Sequence, residues 1–375
     1  MTASTRKIFP NVDWLLLLSV IPLLVAGFIT MNSFVKESYF APRQLIWISI
    51  SIAVFLVFSF IDWRILRNTW VLLIIYAVSI ILLLVIFAGS QIRGVESWLN
   101  FGLFSFQPAD IAKLVLILVL AKYFSRRHVE IAHFKHIFIS GLYAFVPFAL
   151  ILIQPDFGSA LIILVVWLGM ILVSGVSKKH LVIVLGAGLV AFAVLWMFVF
   201  APYQKARIMS FLDPLRDPQG TGYNALQSTI AVGSGQIMGK GVGYGTQSRL
   251  EFLPEYQTDF IFAAFAEEWG LIGVLIMFGL FGIIIWRILA SAIVGASNFE
   301  IYFGVGLSIM LMAHFVIHVG MNIGVLPVTG LPLPFVSYGG SHLLTEFIGL
   351  GILSGMRKYS RGIHKEDIQQ EFLGI

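Results

Sequence analysis

Stretch after stretch of this chain carries no charge. Trp14 to Val35, Gln44 to Ile61, Asn68 to Ile92, Ile137 to Pro155, Phe157 to Ser177, His180 to Gln204 and Trp269 to Trp286 each lack Asp, Glu, Lys and Arg. A helix needs about 20 apolar residues to cross a hydrocarbon core, so each run predicts a membrane-spanning helix. Pro108 to Phe124 adds another, broken only by Asp110, Lys113 and Lys122. Ile301 to Met356 is too long for one span. Its middle, Leu326–Gly340, holds three prolines and three glycines, which predicts two helices joined by a structured re-entrant or surface loop. The reading is an all-α polytopic integral membrane protein with about ten transmembrane helices.

Composition closes the alternatives. Hydrophobic residues make up 59% and charged residues 11%, against roughly 45–50% and about 25% in soluble domains. A chain this apolar cannot cover its surface with polar groups, which excludes soluble, disordered, coiled-coil and collagen-like classes. With no cysteine, disulfides, thiolate nucleophiles, Cys-ligated zinc and iron–sulfur clusters are excluded. The net charge of +5 is dispersed among apolar spans, so nucleic acid is not a partner.

Basic residues orient the chain. With the N-terminus inside, 15 Lys and Arg fall in cytoplasmic segments, and the short outer loops carry only Lys36, Arg43 and Arg93. Both termini are therefore expected in the cytoplasm. The first span is too long for a cleaved signal, and no small-residue cleavage site follows it. One outer loop, about residues 201–260 between helices 7 and 8, is far longer than the rest. Long loops of this kind are commonly functional, and Phe211, Tyr223, Leu226, Ile230 and Tyr244 argue that it is ordered. No repeat or second domain is visible, so residues 1–375 form one membrane domain.

Chemistry concentrates at that loop. In Leu253 to Phe262, Pro254 suits a first helical turn, which would set Glu255 and Asp259 on one face. A carboxylate at the edge of hydrocarbon has a raised pKa and suits general-base work; acids that merely interact with the helix dipole are the structural alternative. Glu267 and Glu268 follow within the apolar run. Lys113 lies inside a span, where an ion is a functional candidate, or else forms a buried pair with Asp110 or Glu346. Trp98, near Arg93 and Glu96 and within the amphipathic run Trp98–Phe106, is an interface anchor or part of a lipid-substrate site. Asp156 sits between two helices as a turn acid or a ligand. Lys205 and Arg207 open the large loop as lipid anchors or pyrophosphate ligands.

Three short motifs lead nowhere. Ser234–Gly241 resembles a phosphate loop, but has Ser in place of the first Gly and Gly241 where a magnesium-binding hydroxyl belongs. His314 and His318 share a helix face without a near carboxylate and are expected to bond across helices. Asp156-Phe157-Gly158 spells a kinase tripeptide without its context.

The same residues resemble one family. Gln107-Pro108 with Lys113, Gln154-Pro155-Asp156-Phe157-Gly158-Ser159-Ala160, and Tyr203-Gln204-Lys205-Ala206-Arg207-Ile208 begin the match. Gly222 to Ser228, Gly239-Lys240-Gly241, Leu253-Pro254-Glu255 through Phe262, Asn322-Ile323-Gly324 and Leu333 to Ser341 continue it in order over nearly the whole chain. The chain resembles the SEDS (shape, elongation, division and sporulation) family of peptidoglycan glycosyltransferases. Its short N-terminus and the Gly330–Phe335 wording look more like the RodA elongation branch than the FtsW division branch. His342 departs from the pattern, since many relatives have a second Ser after Ser341.

The resemblance implies about ten helices with a large outer loop after the seventh. It implies a bacterial inner (cytoplasmic) membrane enzyme polymerising lipid II, a disaccharide-pentapeptide on undecaprenyl pyrophosphate, for cell elongation and rod shape. Asp259 matches the family's essential acid and is implied to be the general base, with Glu255 beside it. Lys113, Lys205, Arg207, Trp98, Asp156, Ser337 and Tyr338 are the substrate-binding candidates. No cofactor is fixed; a divalent cation, magnesium or manganese, could share the pyrophosphate, but no metal ligand set can be read. The implied partners are a class B penicillin-binding protein and other elongation-complex membrane proteins. A lipid II flippase and a non-catalytic scaffold for cell-wall synthases are the competing readings. The first lacks an inverted repeat, and the second leaves Asp259 and Lys113 without a role.

Overall fold

A computed structural model describes residues 12–33, 40–88, 98–100, 105–127, 134–214, 220, 222–250, 252–295 and 297–373. In chain order the helices are α1 (Trp14–Asn32), α2 (Phe40–Phe60), α3 (Thr69–Val85), α4 (Pro108–Arg127), α5 (Phe134–Ile153), α6 (Phe157–Val173) and α7 (Lys178–Val194). Three shorter ones follow, α8 (Pro202–Leu212), α9 (Tyr223–Ser234) and α10 (Thr246–Arg249). The chain closes with α11 (Ile261–Ile293), α12 (Asn298–Asn322) and α13 (Gly340–Leu373). Among the described residues, six helices are long and apolar enough to cross a membrane, and α3 and α6 are shorter apolar helices.

The long helices follow the uncharged runs because lipid cannot satisfy free backbone N–H groups. Side chains therefore cap the exposed first turns. Asp13 accepts from Leu16 N (3.3 Å), Asn68 from Trp70 N (2.9 Å) and Asp156 from Ser159 N (2.9 Å). α12 is buried over most of its length and packs on α4, α6 and α11, whereas α7 is largely exposed, with Val184 half-buried against the core. Small residues let α13 lie close against α2: a Cβ on Gly340 would meet the Trp47 ring, and one on Gly351 would meet Phe58. At one end Asp13 ties three helices together, accepting from Arg287 Nε (2.8 Å), Arg357 Nη1 (2.7 Å) and Ser291 Oγ (2.9 Å).

Three details differ from the sequence reading. The amphipathic run from Trp98 departs from the all-α reading: Leu99–Asn100 (β1) pairs antiparallel with Ser105–Phe106 (β2), so the fold is nearly, not wholly, α. The long segment before α11 is largely helical, built from α8, α9 and α10. And the helix expected near Trp269 begins earlier, at Ile261, and is broken at Gly270 (φ 64°, ψ −169°). Arg93, Glu96 and the basic pair Arg6 and Lys7 lie outside the described residues.

That break is filled by the segment that resembled a phosphate loop. Leu271 and Ile272 donate to the carbonyls of Gln236 (2.9 Å) and Ile237 (3.2 Å), while the carbonyls of Glu267 and Glu268 accept from Lys240 N (2.9 Å) and Gly241 N (3.0 Å). Glu267, fully buried, accepts Lys240 Nζ (2.8 Å), Gln247 N (3.1 Å) and Thr246 Oγ1 (3.2 Å). Such close approach needs glycine at 239, where φ is 79° and a Cβ would lie 2.1 Å from the Glu268 carbonyl oxygen. Gly239→Ala is expected to lower the thermal midpoint in detergent by several degrees, since backbone strain alone costs about 1–3 kcal/mol. It should also expose the 235–250 segment to protease; an unchanged melt would mean that this seam does not support α11.

Candidate functional site

Two non-helical segments, 252–260 and 323–339, meet at the start of α11. The first is a tight turn. Glu255 takes a left-handed φ of 49°, and its carbonyl accepts from Thr258 N and Asp259 N (both 3.1 Å) and from Phe260 N (3.3 Å). Pro254 therefore does not open a helix, and Glu255 and Asp259 do not share a helical face; α11 begins two residues beyond Asp259. The turn leaves Glu255 exposed and draws Asp259 half under the surface.

Asn322, the last residue of α12, fixes this turn. Its amide nitrogen donates to the carbonyls of Asp259 (3.1 Å) and His318 (2.8 Å), and its oxygen accepts from Ala263 N (3.2 Å) and Ser228 Oγ (3.1 Å). Ser337 Oγ donates to the Thr258 carbonyl (2.8 Å) and accepts from Leu333 N (2.8 Å), and Tyr338 N donates to the Gln257 carbonyl (2.9 Å). Gly330 (φ 74°) brings the second segment close: a Cβ there would be 3.5 Å from Asp259 Oδ2.

The carboxyl of Asp259 is pushed up to about 6, first by burial and then by the charge of Glu255, while Arg207 pulls it back. Arg207 rides on α8. It lines a cavity of about 250 Å³ with Phe211, Leu226, Ile323, Pro327 and Val328. A smaller pocket shares Arg207 and is walled by Phe157, Phe200, Ile208 and Thr329. A cation at the edge of apolar space, beside a carboxylate of raised basicity, suits an amphiphile with an anionic head.

The other candidates are placed as follows. Lys205 Nζ lies 5.9 Å from the centroid of the Trp196 ring, a cation–π contact. Trp98 is partly exposed at the start of the hairpin. Asp156 caps α6 and accepts Gln107 Nε2 (2.8 Å). Ser337 and Tyr338 join the two segments. Lys113, 2% exposed, forms the buried pair with Asp110 (2.8 Å) and approaches His314 Nε2 (3.3 Å). His318 Nδ1 donates to the Leu331 carbonyl (2.7 Å) in the segment that follows its own helix rather than across helices as expected, whereas His314 reaches Lys113 on α4. No cluster of three His, Asp or Glu among the described residues is placed to hold a metal ion. Asn322 was legible only as part of a motif; its role depends on three groups from distant segments, the Asp259 carbonyl, Ala263 N and Ser228 Oγ.

This arrangement defines a many-helix membrane protein with a base-capable carboxylate and a cation beside apolar cavities. The chain matches the FtsW/RodA/SpoVE model of cell cycle proteins over residues 6–362 and belongs to that family. It is 39% identical to the peptidoglycan glycosyltransferase MrdB of Escherichia coli K12 over 292 residues, 78% of this chain and 79% of that one. Stage V sporulation protein E of Bacillus subtilis is 35% identical over 371 residues, covering 96% and 100%. Among solved structures, one described as coordinating polymerization and crosslinking by a peptidoglycan synthase complex superposes with a TM-score of 0.79 at 30% identity, covering 93% and 98%. The rod shape determining protein RodA of Thermus thermophilus gives 0.69 at 28%, covering 92% and 96%. Curated relatives named as glycosyltransferases make this a family of glycan-forming membrane enzymes.

Asn322→Ala strips partners from the Asp259 carbonyl and Ala263 N, while Ser228 Oγ keeps the backbone carbonyl of residue 322 (2.9 Å). Each unsatisfied buried group costs about 1–3 kcal/mol, so a clear fall in thermal midpoint is expected in detergent or nanodiscs. A variant as stable as wild type would show that the turn holds itself.

Proposed function

We propose that the chain is a peptidoglycan glycosyltransferase of the elongation type, polymerising lipid II into glycan strands at the outer face of the cytoplasmic membrane, with Asp259 as general base. The observation that carries this is the half-buried Asp259 carboxyl, raised to about 6 beside Arg207 and the cavities. Ten long helices would span the bilayer with both termini inside, setting α8, α9, α10 and the Asp259 turn outside.

Transfer is a single displacement. The acceptor sugar hydroxyl attacks the anomeric carbon of the donor; the new C–O bond forms as the bond to phosphate breaks, and the proton passes to Asp259. A carboxylate with a pKa near 6 is largely ionised at neutral pH yet more basic than an ordinary Asp at about 3.9. Glu255 helps by its charge. The pyrophosphate leaves already ionised and needs cations rather than a proton; Arg207, with Lys205 on the same helix, supplies them. The apolar cavities take the first isoprene units of the tail. Trp98 would lie at the headgroup level, Asp156 caps the helix whose Phe157 walls the smaller pocket, and Ser337 and Tyr338 hold the Asp259 turn. Lys113 supports the site from within through Asp110. A class B penicillin-binding protein would crosslink the product, alongside other elongation-complex membrane proteins. The solved synthase complex with this fold supports such a pairing.

Polymerisation from purified lipid II, with moenomycin present to silence other polymerases, tests this with and without the class B partner. Wild type should make polymer and Asp259→Asn none, with its melt unchanged. A near-normal rate in Asp259→Asn removes it as base; no polymer from either, with lipid II crossing liposomes, points to transport.

The pH profile gives a second check. Protonation of Asp259 removes the base, so kcat/KM should fall as pH drops through about 6. Glu255→Gln should move that limb to lower pH, because it removes a charge that raises the carboxyl. Arg207→Gln should move it to higher pH and raise KM. A limb that ignores both substitutions belongs to another group.

A further inference from the structure

We infer that His342 is held as an imidazolium between Asp110 and Glu346 and is a positioning residue for the Asp259 turn. The second half rests on the polymerase reading above; the first does not.

His342 stands in the first turn of α13, buried. Its Nδ1 lies 3.3 Å from Asp110 Oδ1 on α4, and its Nε2 lies 3.0 Å from Glu346 Oε1, one turn further along α13. A neutral imidazole has one N–H and one lone pair. Either neutral tautomer would leave a bare ring nitrogen within 3.3 Å of a carboxylate oxygen in a low-dielectric interior, whereas the cation sets positive charge against both carboxylates and donates Nδ1–H to Asp110.

The charge count agrees. Asp110, Glu346 and Lys113 are all buried, and two carboxylates against one ammonium leave an excess negative charge, costly in such a place. His314 cannot supply the missing cation. Its ring sits 4.8 Å from that of His342, but Nδ1 must donate to the Met310 carbonyl (2.9 Å), which leaves Nε2 to accept from Lys113 (3.3 Å). His314 is thus neutral by hydrogen-bond necessity. His342 faces Asp110 and Lys113 from α4, His314 and His318 from α12 and Glu346 from its own helix, and as a cation it completes a neutral set with Asp110, Glu346 and Lys113.

This set reaches the site through backbone. The second oxygen of Glu346 accepts Phe335 N (3.2 Å). Phe335 holds a left-handed φ of 62°, a conformation that needs outside support in a bulky residue. Two residues on, Ser337 grips the Thr258 carbonyl and Tyr338 grips Gln257, directly before Asp259. An imidazolium that fixes Glu346 thereby fixes the bend at Phe335 and the bonds that seat the Asp259 turn. Ser341, adjacent to His342, adds Oγ–H to Asp110 Oδ2 (3.1 Å), but carries no charge.

The test uses the full chain in nanodiscs. With ¹⁵N-histidine labelling and the His342 signals assigned by their loss in His342→Gln, both ring nitrogens should resonate as protonated at pH 8. A neutral-imidazole pattern at that pH would overturn the charge assignment. In lipid II polymerisation, His342→Gln should lower kcat with little change in KM. The loss should be roughly tenfold to a hundredfold, the scale of an ångström-size misplacement of a reacting group. The double variant His342→Gln/Glu346→Gln removes the excess charge but keeps an amide oxygen for Phe335 N, and should recover most of the rate. Wild-type activity in His342→Gln, or no recovery in the double variant, overturns the positioning role. Absence of polymer from wild type would sink the polymerase reading instead, while the nitrogen shifts would still decide the charge on His342.

Discussion

Every backbone N–H and C=O that leaves a helix inside this molecule has to be met by another segment of the same chain, because lipid offers no partner. The two irregular places near the site show how. At Gly270 the freed groups of α11 are taken by the backbone of residues 236–241. Between α12 and α13 the segment 323–339 is held by the Asn322, Ser337 and Glu346 side chains. At both places the irregular backbone is sewn to its neighbours, and the carboxylate of Asp259 sits at that seam.

Such a seam is well suited to hold a base. A side chain on a free loop would be solvated and keep an ordinary carboxylate pKa; one deep in the bundle would be paired, as Asp110 is with Lys113. Asp259 lies between these extremes, half-buried, with Glu255 and Arg207 acting on it in opposite senses. Rigidity comes from Asn322, which binds the turn, the start of α11 and α9 at once.

Much of this was legible in the residues. The uncharged runs marked where the long helices lie, closely for α1, α2, α5 and α6 and more loosely for α7 and α11, since burial in lipid is a property of composition over one helix length. The prolines and glycines of Leu326–Gly340 marked the join between α12 and α13. Asp259 stood out as an acid at the edge of hydrocarbon. Other features were not legible. Pro254 looked like a helix start, but the left-handed Glu255 makes a turn instead. The segment Ser234–Gly241 looked like a poor phosphate loop; its glycines instead let one backbone lie against another. The sequence left open whether Lys113 would pair with Asp110 or with Glu346; in the structure its partners are Asp110 and His314, and His342 lies beside Glu346.

The sequence alone determined the solvent of this protein, the placing of its long helices and the family wording that it carries, because each depends on local composition or on residues in chain order. Tertiary structure alone decided the rest: that Asn322 from α12 holds a turn 63 positions earlier, that α11 breaks and is mended by a distant loop, and that two acids, a lysine and a histidine form one buried set. Those outcomes depend on distances between segments far apart in the chain. Hydrogen bonds and charges act over a few ångströms whatever the separation in sequence, and only folding sets those distances.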